Sequence, residues 1–332
     1  MKRIIYLGYY LKQLDWSKFR TFFTYAQQQT QCSSLGLLSD LLRSSLRYNI
    51  SLLDYFYFRF FEKNERIRAT YAGTGFMYEY QLKMNPPASR SVLENKLLFN
   101  TTYHSFIQRM TFSMAALGDE PTAQVLLDNT SGKIVLKAAT GQVGAEVEVF
   151  SSSDFTATTL VAFMREKGFD LAEEYVQQHP ALNALSPSGL NTVRVISQLD
   201  QEGNFHCLGA RLRISVNSTV DNMAAGNLAA PIDADSGLIN GPAVYSDITK
   251  SAVTHHPVTS QEIAGFQVPF WTETMAMVEA AARAFPENRS IGWDVAISAT
   301  GPELIEGNHN WCKLLWQLPA QQGMKNRLES FL

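Results

Sequence analysis

The chain has 332 residues, 45% of them apolar, and a net charge of -3. That length suits two domains or one large lobed one with a sizeable core, and so small a net charge removes any global electrostatic case for binding nucleic acid. Three cysteines, Cys32, Cys207 and Cys312, lie far apart without metal-type spacing and one must stay unpaired, which fits a reducing cytoplasmic setting.

The opening MKRIIYLGYYLKQLDW carries an apolar run too short for a signal peptide. Lys12 interrupts it and no small-residue cleavage site follows. No run of about 18 uncharged apolar residues occurs, so no transmembrane helix is expected. Residues 1–63 hold nine Lys/Arg against four acids, so this end is basic in an otherwise acidic chain. Apolar spacings of three and four predict helices over 9–30 and 34–62, with Ser39-Asp40 and Asn49-Ile50-Ser51 as helix punctuation. The aromatic run YFYFRFF (55–61) reads as a docking surface or as a helix buried on most sides, and burial is the favoured reading because apolar exposure needs a special cause. MNPPASR (84–90) breaks the helical pattern, since proline cannot continue it. The first boundary is set there, which leaves a helical region over 1–87.

Beyond it the texture changes to short β-type runs: KIVLKA (133–138), AEVEVF (145–150), LAEEYV (171–176), NTVRVISQL (191–199), FHCLGARLRISV (205–216) and NLAAPID (227–233). Helical patterns intervene near 154–167 and 272–285. Hairpin-type connections dominate, which predicts an α+β, largely antiparallel architecture.

Three segments carry chemistry. In SGKIVLKAATGQVGAEVEVF (131–150), Gly141 and Gly144 permit a loop whose N–H groups converge on an anion, and Lys137 ends the incoming strand. In LAEEYV an extended backbone flanked by apolar side chains suits adenine, although an ordinary strand has the same pattern. In IGWDVAISATGPELIEGN (291–308), folding about Thr300 sets Asp294 opposite Glu306 and Val295 opposite Ile305. Glu306 and Asn308 then share a face with Asp294, and Val295, Ile297 and Ile305 take the reverse face. Two opposed carboxylates repel, and an oxygen-seeking dication such as Mg²⁺ reverses the sign of that energy.

Taken in order, ENKLLFN, VLKAATGQVG, EEYV, NTVRV and the terminal Asp294…Glu306-x-Asn308 resemble an ATP-grasp enzyme. LNTVRV, GARLRISV, VDNMAAGNLAAPID, HHPVT, AGFQVPFW, IGWDVAI and LIEGN resemble, more narrowly, the sugar-transfer-associated, α-L-glutamate-ligase-related members. The resemblance covers roughly residues 88–320. It implies two α+β lobes with mainly antiparallel sheets clasping ATP, lobe 1 over 88–176 and lobe 2 over 177–332. Where many such enzymes begin with a Rossmann-like domain, this chain reads as helical.

The resemblance also implies roles. Lys96 and Lys137 neutralise phosphates, Gly141 and Gly144 cover them, and Glu173, Glu174, Tyr175 and Val176 frame the adenine. Asp294, Glu306 and Asn308 hold Mg²⁺, and Arg194 meets a phosphate or substrate carboxylate; Arg211 and Arg213 share one face of the next strand, and Arg211 is taken into the site with Arg213 as a surface charge, Lys137 also taking part in the transfer. Arg194 reads alternatively as a structural partner of Glu173 or Glu174. Asn222 is positional; His255 and His256, adjacent in extended chain, are a poor metal pair; His309 and Trp311 border the substrate or cap the last strand. The implied reaction joins a carboxylate to an amine through an acyl phosphate, with small-molecule and sugar-linked substrates in polysaccharide or related biosynthesis. A phosphotransferase, or a noncatalytic nucleotide-binding partner of a glycosyltransferase, are the alternatives. The basic N-terminal helices are expected to serve a homodimer, a glycosyltransferase partner or a membrane surface.

Overall fold

The apolar-alternating runs become strands, and every pairing between them is antiparallel. The computed structural model describes residues 2–118, 120–140 and 147–332. A four-stranded sheet contains β1 (Thr111–Ser113), β2 (Lys133–Lys137), β3 (Val147–Ser151) and β4 (Leu171–Glu174), in the order β1-β4-β2-β3. A five-stranded sheet contains β5 (Thr192–Leu199), β6 (Phe205–Ile214), β7 (Leu228–Ile232), β8 (Ser290–Ile297) and β9 (Pro302–Asn308), in the order β7-β6-β5-β8-β9. The three-residue β1 was too short to show a sequence period.

Every residue of β5 and β8 is buried, because both faces of the large sheet are covered. On one face Val193, Val195, Leu212, Trp293, Val295 and Leu304 pack with Val278, Ala281 and Ala282 of the helix Trp271–Ala284. On the other face Ile196 and Leu208 meet Tyr80, Trp311 and Trp316. The remainder of that second face is polar and forms the candidate site.

The β8–β9 hairpin departs from simple folding about its loop. Asp294 does pair with Glu306, but a register shift follows and Val295 pairs with Leu304, not with Ile305. Ile305 is the extra residue of a β-bulge and lies outside the buried core that takes Val295, Ile297 and Leu304. Because strand side chains alternate, Glu303 and Glu306 would normally face opposite ways, and the bulge turns both to the polar face.

The N-terminal helices are shorter than their periodicity suggested: Lys2–Lys12, Trp16–Thr30, Ser34–Tyr48 and Leu52–Tyr57. Asp15 ends the first gap by accepting the Lys18 N–H, an ordinary N-cap. Asn49 adopts a left-handed φ of 54° and Ser51 with Asp54 forms a capping box, so Asn49-Ile50-Ser51 does punctuate the helix. Ser39-Asp40 does not. It lies within a helix, where Asp40 accepts bonds from Arg68 at 2.7 and 2.8 Å and from Tyr55 at 2.6 Å. YFYFRFF is buried as favoured, with Tyr55, Phe56, Phe58 and Phe60 at most 2% exposed. The helical region is docked through Lys313 on Asp54 at 3.0 Å and through Gln317, whose amide bonds both backbone groups of Ala72.

Candidate active site

The polar face of the large sheet carries a row of cross-strand neighbours, Arg211, Arg194, Asp294 and Glu306, on β6, β5, β8 and β9. Arg194 grips Asp294 with both arms of its fork, Nε to Oδ1 at 2.5 Å and Nη2 to Oδ2 at 2.8 Å. Its partner is therefore neither Glu173 nor Glu174. Arg213, one step along β6 on the same face, adds Nη1 to Asp294 Oδ2 at 2.7 Å and holds Asp221 Oδ1 with Nη2 at 2.6 Å. Asp221 is fixed in turn by the Thr192 N–H at 2.8 Å and hydroxyl at 2.5 Å.

Burial pushes the Asp294 carboxyl up, but the guanidiniums of Arg194 and Arg213 outweigh it and hold it well below the usual carboxylate range. Burial and the neighbouring Asp294 charge push Glu306 up. Glu306 accepts the Asn308 amide at 3.1 Å, and Asn308 also donates to Gly292 O at 3.3 Å. Gly292 is required by close approach. A Cβ there would lie 2.6 Å from Trp311 Cβ and 3.2 Å from Arg194 Cδ.

Arg211 was expected to join this site, with Arg213 as a surface charge. The geometry reverses the two. Arg211 donates from Nε to Trp316 O at 3.1 Å, also from Nη2 to the same oxygen, and from Nη1 to Ala210 O at 2.6 Å. Burial without a facing carboxylate pulls its pKa down to about 10. Both arginines share a strand face, but the carbonyl of Trp316 draws one away and the two acids draw the other in.

A second charged cluster joins the lobes. Glu173 on β4 is 2% exposed and accepts Arg109 Nε at 3.0 Å, Lys137 Nζ at 2.5 Å and Asn100 Nδ2 at 3.2 Å. Arg109 spans to β9, where Nη1 meets Glu303 Oε2 at 2.9 Å and Leu304 O at 2.8 Å. Burial opposes ionisation of Glu173, and Arg109 and Lys137 overcome it, so its pKa is held far below the ordinary value. Since Glu303 lies on the same sheet face as Glu306, Arg109 ties the Lys137–Glu173 pair to the strand that carries Glu306 and Asn308. Lys96 starts the helix Lys96–Thr102 and touches the chain just beyond Lys137, with Nζ to Ala138 O at 3.1 Å and N–H to Ala139 O at 2.9 Å. The same helix packs on β9, where a Cβ at Gly307 would come within 3.2 Å of Phe99.

A family model, sugar-transfer associated ATP-grasp, matches residues 76–332. The chain belongs to the sugar-transfer associated ATP-grasp family. None of the curated proteins matches it. Among solved structures, the biotin carboxylase of Campylobacter jejuni is 14% identical with a TM-score of 0.48, covering 78% of this chain and 53% of that one. The ADP complex of an N5-carboxyaminoimidazole ribonucleotide synthetase is 11% identical with a TM-score of 0.42, covering 66% and 45%. The D-alanyl-alanine synthetase A of Vibrio cholerae is 13% identical with a TM-score of 0.38, covering 74% and 62%. The chain thus spans less than two thirds of the length of each of these proteins.

Within this ATP-grasp fold the other expected site residues fall as follows. The backbone of Glu173 and Glu174 is committed, because β4 is paired with β1 on one side and β2 on the other. The Tyr175 N–H bonds Lys133 O at 3.3 Å. Glu173 therefore enters the site through its carboxylate rather than as a backbone frame, and Val176, 8% exposed, is the first residue past these pairings. Gly141 and Gly144 lie outside the described residues. Asn222 caps a short turn by accepting the Ala224 N–H at 3.0 Å, a positional role. His255 is exposed beside Thr254, whereas His256 is buried and bonds Ser215 O at 2.9 Å, so they form no metal pair. His309 meets Glu94 at 3.0 Å, and Trp311 is buried in the core with its indole N–H on Ser290.

Three contributors, Arg109, Asp221 and Glu303, were missed. Asp221 stands in the VDN motif beside the residue chosen there. Glu303 was hidden by the bulge, and Arg109 lay in an irregular stretch with no period to follow.

Asp294, Glu306 and Asn308 supply two carboxylates and an amide oxygen on one face, a hard-cation donor set. Among the described residues no group of three or more His, Cys, Asp or Glu forms a complete cage. The Asp294 oxygens already face two arginines, and Glu306 is the carboxylate left with the least compensation. The set fits a cation that completes its shell with substrate phosphate oxygens, as Mg²⁺ does.

Proposed function

We propose that this protein is an ATP-dependent ligase that activates a carboxylate as an acyl phosphate and passes it to an amine or similar nucleophile. The carboxylate belongs to an amino acid or a sugar uronate, and the product serves polysaccharide or related small-molecule synthesis in the cytoplasm. A carboxylate oxygen attacks the γ-phosphorus of ATP and ADP leaves. The amine nitrogen then attacks the acyl carbon, phosphate leaves, and the amine gives up a proton.

The observation that carries this reading is the shared sheet face. Asp294, Glu306 and Asn308 lie beside Arg194 and Arg213, and Arg109 links that face through Glu303 to Lys137 and Glu173. Phosphoryl transfer asks mainly for alignment and charge neutralisation, and this face supplies both. Lys137 and Lys96 approach from the small lobe to neutralise phosphate oxygens. Arg194 and Arg213 hold Asp294 ionised and rigid, so its charge needs no reorganisation during transfer. Asp294, Glu306 and Asn308 would hold Mg²⁺, which neutralises phosphate charge when bound. Water must be kept from this face during transfer, because it would otherwise hydrolyse an acyl phosphate.

The test is ADP release across a panel of amino acids, uronates and amino sugars, with Glu306→Gln and Lys137→Met as controls. Acceptor-dependent ADP release that both substitutions abolish is expected. Release that survives both would overturn the proposed site. A stable phosphorylated product without acceptor would replace the ligase by a phosphotransferase.

A further inference from the structure

The N-terminal helices present a surface that the nucleotide chemistry does not use. The helices Lys2–Lys12 and Ser34–Tyr48 both pack inward on one aromatic core, through Leu7 on the first and Leu37 and Leu41 on the second. They meet where Arg3 Nη1 donates to the carbonyls of Leu46 at 2.9 Å and Arg47 at 2.8 Å. Their outward faces should be polar and are not. Ile4 and Ile5 are 67% and 66% exposed, and Leu35, Leu38, Leu42 and Leu46 form an exposed stripe at spacings of three and four, with Leu35 at 82%. Such a stripe on a monomer surface needs a partner.

The charge around the stripe says which partner. Lys12 ends the first helix and Arg43 stands beside the stripe on the second, while Lys2 lies 3.8 Å from Glu79 and Arg47 pairs with Glu65 at 2.7 Å; Asp40 is the one acid on these two helices, its carboxylate engaged by Arg68 and Tyr55. A two-fold dimer through this face would bring Lys12 and Arg43 of both copies together with no unengaged acid on these helices to meet them, since such an interface is self-complementary. Aliphatic side chains ringed by lysine and arginine match an anionic lipid surface, where the chains enter the acyl boundary and the cations meet headgroups. We propose that the face built by residues 2–12 and 34–48 docks the protein on anionic membranes, with the helices lying flat on the surface. Among the described residues no helix is long and apolar enough to cross one.

The test uses the full chain in flotation with two vesicle types at low salt, pure phosphatidylcholine and phosphatidylcholine with one third phosphatidylglycerol. Binding to the anionic vesicles alone is expected, with loss at high salt because the attraction is screened. Each cation near the surface contributes about fivefold in partitioning, so Lys12→Glu together with Arg43→Glu should weaken binding at least about 25-fold. Leu35→Glu, at a fully solvated position, should weaken it by at least tenfold with an unchanged melting curve. No binding to anionic vesicles at low salt would overturn the proposal. So would equal binding to both vesicle types, indifference to all these substitutions, or a stable dimer that Leu35→Glu dissolves.

Discussion

Asp294 and Glu306 face each other across one sheet, yet the structure predicts opposite consequences for neutralising them. Asp294 anchors Arg194, which is buried, and Arg213, which is half-buried. Asp294→Asn leaves two guanidiniums without their shared carboxylate, and breaking a buried ion pair from one side costs about 3–5 kcal/mol. At roughly 2–4 °C per kcal/mol, the unfolding midpoint should fall by roughly 6–20 °C. Glu306 is different. Two unit charges about 4 Å apart repel by about 4 kcal/mol at an effective dielectric of ~20, and the arginines offset most of this. Glu306→Gln keeps the shape, removes the repulsion and should leave stability unchanged or raise it by about 1 kcal/mol. The pH dependence gives an independent check. The folded protein holds the Glu306 proton above its ordinary value of 4.5, so the wild type has this stabilisation at low pH and loses it as pH rises through the raised value. Glu306→Gln has no such loss, and its advantage should grow as pH climbs from about 4.5. Both variants should lose nucleotide-dependent ADP release. The measurements are thermal melts from pH 4 to 8 and a coupled ADP assay. A Glu306→Gln protein that melts as low as Asp294→Asn, or that releases ADP at the wild-type rate, would refute the reasoning.

Arg211→Met should leave ADP release within about twofold of wild type, because Arg211 faces carbonyls rather than carboxylates, and should cost about 1–3 kcal/mol of stability for the buried Trp316 carbonyl it leaves unpaired; Arg213→Met should lower kcat by about 100-fold and the melting midpoint with it, since it exposes Asp294 and Asp221 to each other. Steady-state kinetics and melts on the pair decide which arginine serves the site. Arg109→Met leaves Glu303 without a cation and Glu173 with Lys137 alone, so it should cost about 3–5 kcal/mol by denaturant unfolding; a change under 1 kcal/mol would show that the ion pairs do not link the lobes. Gly292→Ala forces a Cβ to within 2.6 Å of Trp311 Cβ, an overpacking cost of at least about 1–3 kcal/mol, and a variant as stable as wild type in the same unfolding assay would contradict the close approach.

Much of the architecture was legible because its periods were long enough to read. The strands from KIVLKA to the final hairpin came from alternation and β-branched content; of the candidate site, Asp294, Glu306 and Asn308 came from charges interrupting the last hairpin and Arg194 from the family resemblance. What escaped had a local physical cause. One inserted residue at Ile305 changed the facing of Glu303, and no alternation rule anticipates a bulge. The choice between Arg211 and Arg213 turned on where the helix Lys313–Gln317 placed a carbonyl, a contact over 100 residues away in sequence. Periodicity merged helices that Asn49 and Asp15 divide, since capping side chains rather than apolar spacing set those ends.

The charges of the two clusters also explain why Arg109 stands between the lobes. On the large sheet Arg194 and Arg213 face Asp221, Asp294 and Glu306, so one negative charge is left over and it falls at Glu306, where a phosphate-bound cation would rest. In the second cluster Arg109 and Lys137 balance Glu173 and Glu303. On the proposed function, Lys137 would turn from Glu173 toward a phosphate, which requires that carboxylate to keep another partner, for a buried carboxylate left alone is costly. Arg109 is that partner. It holds Glu173 with Nε and Nη2 while Nη1 remains on Glu303. In the proposed reaction the lysine would then leave for the nucleotide without stranding an ion, and the bridge to β9 would persist while it does.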